Sequence, residues 1–263
     1  MTALLTHPDP DGLLEYSVVY TDRALNHMSK KFQGVMKDIA AMLKEVYHAD
    51  AAVLVPGSGT FGMEAVARQF ANKEKVLIVR NGWFSYRWSQ IFDADKGLGG
   101  GAIVCKARQQ GDGPQAPWAP CPAEEVVAAI RAEKPKVVFV PHVETASGIM
   151  LSDDYLRTLT AAAHEVGAKV AVDNTFLSPV IQQPLTQGAD YVVHSTTKYL
   201  NGHSDVIGGA VVAADPVEVE ALRHWGNVVG STGAPFDAWL TLRGLRTLFP
   251  RMERQQINAM AVA

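Results

Sequence analysis

Seven short apolar, β-prone runs recur along this chain, and helical stretches separate several of them. The runs fall at 52–55, 76–79, 102–105, 137–140, 170–172, 191–193 and 209–212. Between them, helical spacing is expected near 63–70, 123–132 and 154–166, and Phe32, Val35, Met36, Ile39, Met42, Leu43 and Val46 recur as one face of an amphipathic helix over 29–47. Strands joined through helices run parallel, with the helices covering both faces of the sheet. The expectation is therefore an α/β protein built on a mostly parallel sheet. At 263 residues and 48% hydrophobic content, the chain can bury a substantial core. The Gly- and Pro-rich stretches at 97–101 and 109–122 are expected to be loops.

One segment carries chemistry. In His194-Ser-Thr-Thr-Lys-Tyr-Leu-Asn-Gly-His-Ser-Asp205, a lysine follows a buried-strand pattern, Tyr191-Val192-Val193, and stands among hydroxyl side chains. A lysine amine is a poor nucleophile at neutral pH unless it is desolvated or lies near other cations, so a Schiff-base lysine belongs at a buried strand end. Lys198 has that position. Ser195 and Thr197 offer hydroxyls to an anion, and Gly202 lets the chain turn back. The neighbouring run at 170–172 ends in Asp173, expected to partner Lys198 and suited to hold a pyridine nitrogen protonated.

These residues carry a resemblance. Asp173-Asn-Thr-Phe-Leu-Ser-Pro179, the segment from His194 to Asp205, Thr232-Gly-Ala-Pro-Phe-Asp237 and Leu242-Arg-Gly-Leu-Arg-Thr247 resemble the Cys/Met-metabolism family of pyridoxal 5'-phosphate (PLP) enzymes, and within it the cystathionine gamma-synthases. The resemblance runs densely over 170–258. It implies PLP as cofactor, Lys198 as the Schiff-base lysine, Ser195 and Thr197 on the phosphate, and Asp173 at the pyridine nitrogen. It also implies the three-layer large domain of that fold, whose sheet has seven strands. The earlier segments, among them Leu14-Glu-Tyr-Ser-Val-Val-Tyr-Thr-Asp22, Val55-Pro-Gly-Ser-Gly-Thr-Phe-Gly-Met-Glu64, Asn81-Gly-Trp-Phe-Ser-Tyr-Arg-Trp88 and His142-Val-Glu-Thr-Ala-Ser-Gly148, resemble class V aminotransferases over 13–168. The chain thus reads as a mosaic of two families that share one fold, joined near Lys169 to Asp173.

The loop Gly57-Ser-Gly-Thr-Phe-Gly62 follows a strand and opens a helix, where free amides bind phosphate. Under the PLP reading, Ser58, Gly59 and Thr60 hold the cofactor phosphate. The same loop fits G-x-G-x-x-G, but a dinucleotide site wants an acidic residue about 20 positions on. Arg80 and Asn81 stand there instead, leaving an NADP-dependent reductase as a remote alternative. By similarity to the class V pattern, Phe84 stacks on the pyridine ring, with Trp83 as second choice and Trp88 in the core. Thr145 and Ser147 are candidates to bond the cofactor hydroxyl or simply to form a turn.

From these residues, trans-sulfuration, by gamma-replacement or elimination on homoserine- or cysteine-type substrates, is ranked ahead of transamination. Phe84 counts against the ranking, because it lacks the hydroxyl of the cystathionine enzymes' stacking tyrosine. A non-catalytic PLP-binding protein is the further alternative. The expected organisation is an arm and helix over 1–48, a PLP-binding large domain over 49–233, and an exit helix over 234–263. That helix would lead toward a small domain, with a carboxylate-binding arginine, which this chain is expected to lack; Arg243 and Arg246 read as structural. The family pattern implies a homodimer or homotetramer, with Tyr20 and Arg23 a loose match to the residues a neighbouring chain supplies.

A net charge of -3 with scattered signs gives no basic patch for nucleic acid or anionic lipid. His142, His194 and His203 share no ligand spacing, so no metal site is expected. Cys105 and Cys121 are too few for a disulfide framework, and neither a secretory signal nor a long apolar segment is evident, so a cytoplasmic protein acting on small amino acids is expected.

Overall fold

A computed structural model describes residues 30–95 and 98–263. The segments around Leu14, Tyr20, Arg23 and Asn26 lie outside the described residues. Helix α1 (Lys30–Tyr47) leads to β1 (Ala51–Pro56), α2 (Gly59–Phe70), β2 (Glu74–Arg80), α3 (Trp83–Ala94) and β3 (Gly99–Lys106). A small hairpin of β4 (Arg108–Gln109) and β5 (Trp118–Ala119) precedes α4 (Ala123–Glu133) and β6 (Val137–Pro141). A second hairpin, β7 (Val143–Glu144) and β8 (Ile149–Met150), is followed by α5 (Asp153–Glu165), β9 (Lys169–Asp173) and the short α6 (Ser178–Ile181). The chain continues through β10 (Tyr191–Ser195), β11 (Gly208–Ala213), α7 (Pro216–Val228), α8 (Pro235–Leu245) and α9 (Leu248–Val262).

All seven expected strands join one sheet in the order β1-β11-β10-β9-β6-β2-β3. The β10–β9, β9–β6, β6–β2 and β2–β3 pairs are parallel, whereas β11 runs antiparallel to both β10 and β1. Alternating side chains feed two apolar faces, as a strand's period of two requires. Val76, Ile78, Val137, Phe139, Tyr191 and Val211 pack under α2, α3 and α7, with Trp88 fully buried among them. On the opposite face, Leu77, Val79, Val138, Val140, Val170 and Val172 meet α4 and α5. Beside that group, Ala52, Val192, Ala210 and Val212 pack against α1, α8 and α9. The α/β, three-layer architecture read from the sequence is the one observed.

Two local expectations change. Residues 99–101 belong to β3 rather than to a loop: three glycines enter the edge strand, and Gly101, at φ +112, sits where the register against β2 slips between Glu74 and Val76. A positive φ without a side chain accommodates that bulge. The C-terminal stretch folds as two helices, and Ala238, Leu242, Leu245, Leu248 and Met252 pack on the same core as α1.

Candidate active site

Because β2, β6, β9 and β10 are parallel, and β1 shares their direction, the C-terminal ends of all five strands open on one edge. In open parallel sheets that edge is where ligands bind. Gathered there are the starts of α2 and α3, the β7–β8 hairpin, Asp173 and the turn after β10. The sequence-selected residues Ser58, Gly59, Thr60, Phe84, Thr145, Asp173, Ser195, Thr197 and Lys198 all lie on these segments.

The start of α2 touches the end of β10. A Cβ on Gly59 would lie 2.6 Å from the Ser195 Cβ, so only glycine lets the helix approach this strand. Ser58 caps the helix, its hydroxyl accepting the Phe61 N–H at 3.2 Å. The Phe61 and Gly62 amides are bonded back to Ser58, whereas those of Gly59 and Thr60 stand at the helix start, where no preceding turn can satisfy them. This leaves two amides and the positive end of a helix beside the Ser195 hydroxyl.

Asp173 is tied to the same place through a residue the sequence reading quoted but did not single out. Thr175 donates its hydroxyl to Asp173 Oδ1 at 2.6 Å and its amide to the same oxygen at 3.0 Å. The Ser195 N–H in turn donates to Thr175 Oγ1 at 3.0 Å. Burial pushes the Asp173 carboxyl above the ordinary carboxylate range; the Thr175 bonds pull it down, and the nearby Glu144 charge adds to the rise.

Glu144 is the second residue passed over. It is completely buried, and its carboxylate receives the amides of Phe84 (3.2 Å), Ser85 (2.8 Å) and Ala146 (3.3 Å) and the Ser85 hydroxyl (2.7 Å). A carboxylate at a helix start satisfies the orphan amides and the helix dipole together. Gly82 makes room for it, since a Cβ there would lie 2.5 Å from the Glu144 Cγ. Phe84 is thereby held on the first turn of α3, and the residue is 46% exposed. Thr145, next to Glu144, is exposed on the hairpin turn.

Two expectations are corrected. Lys198 is exposed rather than buried, because strand burial ends at Ser195 and the lysine rides the following turn beyond the sheet. No ion pair joins Lys198 to Asp173 among the described residues; Asp173 closes β9 level with Val193, two residues before the strand carrying the lysine ends. The Thr197 hydroxyl is engaged with β11, accepting the Gly208 N–H at 3.1 Å and facing the Gly208 carbonyl at 3.4 Å. Arg80, needed by the dinucleotide alternative, instead lies over the Tyr86 ring at 5.0 Å. His203, expected to support the loop after Lys198, bonds within it to the Asn201 carbonyl at 2.7 Å. Arg243 pairs with Asp205 at 2.7 Å, and Arg246 lies 3.9 Å from Asp38, as structural arginines do.

Residues 89–263 match the family described as Cys/Met metabolism PLP-dependent enzyme. The chain belongs to that family. Cystathionine gamma-synthase of Escherichia coli (strain K12) is 53% identical over 139 residues, 53% of this chain and 35% of the relative. Cystathionine gamma-lyase of Bacillus subtilis (strain 168) is 44% identical over 140 residues, again 53% of this chain and 36% of the relative. The solved cystathionine gamma synthase from Xanthomonas oryzae pv. oryzae, in complex with aminoacrylate and cysteine, superposes with a TM-score of 0.66 at 35% identity, over 82% of this chain and 51% of that one. A cystathionine gamma-lyase structure from Micromonospora echinospora gives 0.67 at 28% identity over 86% and 53%. The chain thus spans about a third of the length of these curated relatives and about half of these solved chains. Family membership fixes PLP as the cofactor. The family match reaches upstream to residue 89, well before the junction expected near 169, and these matches carry the cystathionine-like resemblance without the class V one.

Proposed function

We propose that this chain carries the PLP site of a trans-sulfuration enzyme, acting by gamma-replacement or elimination on homoserine- or cysteine-type amino acids. The observation that carries this reading is the convergence of Asp173, Thr175, Ser195 and the α2 amides through direct contacts at one sheet edge, with Lys198 three residues beyond Ser195. The donor set fits the cofactor. Gly59 and Thr60 amides with the Ser58 and Ser195 hydroxyls suit a phosphate, and the raised basicity of Asp173 suits a protonated pyridine nitrogen. When bound, PLP supplies an electron sink for negative charge at the substrate α-carbon.

The protein's residues supply the rest. Lys198 attaches the cofactor and afterwards moves protons, a role to which its exposed position gives access. Phe84 presents a ring face, and Glu144 fixes its backbone. Thr145 stands exposed on the hairpin at the same sheet edge, where its hydroxyl is a candidate to bond the cofactor hydroxyl, and Thr197 ties the turn to β11. Small amino acids are the substrates, and no nucleic acid or membrane surface is invoked. Exposed Ile257, Met260 and Val262 on α9 support self-association as a dimer or tetramer. Free Cys105 and Cys121 support a cytoplasmic setting.

A second reading, transamination of the class V kind, is favoured by one observation: Phe84 has no hydroxyl, and gamma chemistry needs proton transfers beyond the α-carbon, each worth about 10²- to 10⁴-fold. One experiment separates the readings. The protein is loaded with PLP, reduced with borohydride and mapped by mass spectrometry, then incubated with O-succinylhomoserine plus cysteine or with alanine plus glyoxylate. Modification at Lys198, absent from Lys198→Ala, with cystathionine or ketobutyrate formed, is expected. Glycine formation without sulfur-substrate turnover would replace this reading with the second, and absence of any Lys198 adduct at saturating PLP would refute both.

A further inference from the structure

Arginines drawn partly out of solvent commonly answer a carboxylate. Arg251, on the first turn of α9, has no ion pair among the described residues, although burial lowers its pKa. Its guanidinium reaches carbonyls instead: Nη2 donates to the Tyr199 oxygen at 2.9 Å and to the Gly244 oxygen at 2.7 Å, while Nε donates to the Thr247 hydroxyl at 3.0 Å. Gly244 lies in the last turn of α8, whose negative dipole end favours a cation. Tyr199 is the residue after Lys198. One side chain therefore staples the lysine turn to the junction of α8 and α9.

Two glycines are shaped around this staple. Gly202 turns at φ +74, and a Cβ there would lie on top of Arg251 Nη1. A Cβ on Gly244 would likewise run into the backbone of Asn201. The same turn is held a second way, by Asn201 Nδ2 donating to Asp205 at 2.7 Å and Arg243 bonding the other Asp205 oxygen at 2.7 Å. Within the turn, the amides of Lys198, Asn201 and Gly202 bond to Ser195, Thr196 and Lys198 carbonyls.

We infer that Arg251 is a positioning residue for Lys198: it fixes the exposed lysine by holding the backbone of its turn, so that the C-terminal helices set where the amine stands. This rests on the reading of Lys198 as the cofactor-bearing lysine. Among the described residues, the hydrogen bonds of Arg251 go to Tyr199, Gly244 and Thr247 and not to that amine or to another residue assigned to the cofactor, so its proposed action is through the turn.

Amide hydrogen exchange on the PLP-free protein tests it without relying on cofactor binding. In Arg251→Met, exchange at Lys198, Asn201 and Gly202 should rise about tenfold or more, the scale of losing hydrogen bonds to a charged donor, with β6 and β9 amides near their wild-type rates. Arg251→Lys, with one cationic donor group left, should recover part of the protection. Thr247→Val removes a single partner of Arg251 and should raise the same amides by less, which keeps the test open if Arg251→Met fails to fold. The second readout is the rate at which PLP becomes borohydride-trappable at Lys198, compared with PLP affinity in a Lys198→Ala background. The first should fall and the second hold. Unchanged turn exchange in a folded variant, or a rise shared equally by β6 and β9, would overturn the inference. A wild type that never takes up PLP would instead sink the functional reading and leave the exchange result standing.

Discussion

Two helix N-termini open on the same sheet edge, and the chain treats them in opposite ways. At α2, the Gly59 and Thr60 amides have no preceding turn to bond to and stand beside Ser195, with glycine permitting the close approach. At α3, the amides of Phe84 and Ser85 in the first turn are closed by the buried carboxylate of Glu144, brought from the hairpin after β6. Each start offers the same partial positive charge and the same orphan donors. The difference teaches that an anion site is made by withholding an internal acceptor, and a rigid platform by supplying one. The first end is prepared for a phosphate, the second for holding Phe84 still.

The comparison breaks most decisively at the closed end. Glu144→Ala leaves three amides and a hydroxyl without their acceptor, and it should lower unfolding free energy by about 3 kcal/mol, measured by urea denaturation. Glu144→Gln should recover only part of this, because an amide NH₂ would face donors. If Glu144→Ala costs nothing, α3 does not depend on its internal carboxylate, and the contrast between the two ends falls.

At the open end, Gly59→Ala forces a Cβ against Ser195. It should cost roughly 2 kcal/mol of stability and weaken PLP phosphate binding more than it weakens binding of unphosphorylated pyridoxal, read by fluorescence titration. Equal weakening of both ligands would mean that α2 is not the phosphate end.

A third effect, seen only on acidification, concerns the frame beneath both ends. Burial holds His194 down at about 3 and His142 at about 4, below the usual value of 6.5. Both fold neutral, so below pH 6.5 the unfolded chain binds more protons and stability falls as pH drops toward 4. Each contributes a slope of up to about 1.4 kcal/mol per pH unit in that window. His194, whose Nδ1 lies 2.7 Å from the Tyr47 hydroxyl, can be tested by His194→Asn. That variant should flatten the acid side of the stability profile, and a profile parallel to wild type would remove His194 from the account.

What was legible in the sequence follows from where the determinants lie. The seven strands were readable because runs such as 76–79 and 137–140 are apolar on both faces, the mark of a sheet covered on two sides. Helix α3 was not, because its N-cap residue is a glycine with no capping side chain and its start is completed by Glu144, some sixty residues away. Helix α7 was not either, because exposed Val217, Trp225 and Val228 blur its periodicity, although the structure shows the Asp215 carboxylate accepting the Val217 amide at its start at 2.9 Å. At the site, residue types pointed to Lys198, Asp173 and Ser195, while Glu144, and Thr175 in its bond from the Ser195 amide, act through contacts across the fold that spacing does not encode. The exposure of Lys198 was missed for the converse reason: an apolar run predicts burial of the strand and says nothing of the turn beyond it.

The position of β11 has a consequence in time. β1 finds its only strand partner in the described sheet in β11, with Ala51 opposite Ala213. A ribosome must therefore deliver more than 150 further residues after β1 before that strand can be paired, a long loop to close. Until then the Ser58 end of α2 lacks part of its seat, for Gly209 packs so closely on the Ser58 backbone that a Cβ would collide with it. The anion-binding end, first to be synthesised among the parts of the site, is completed only when β11 arrives.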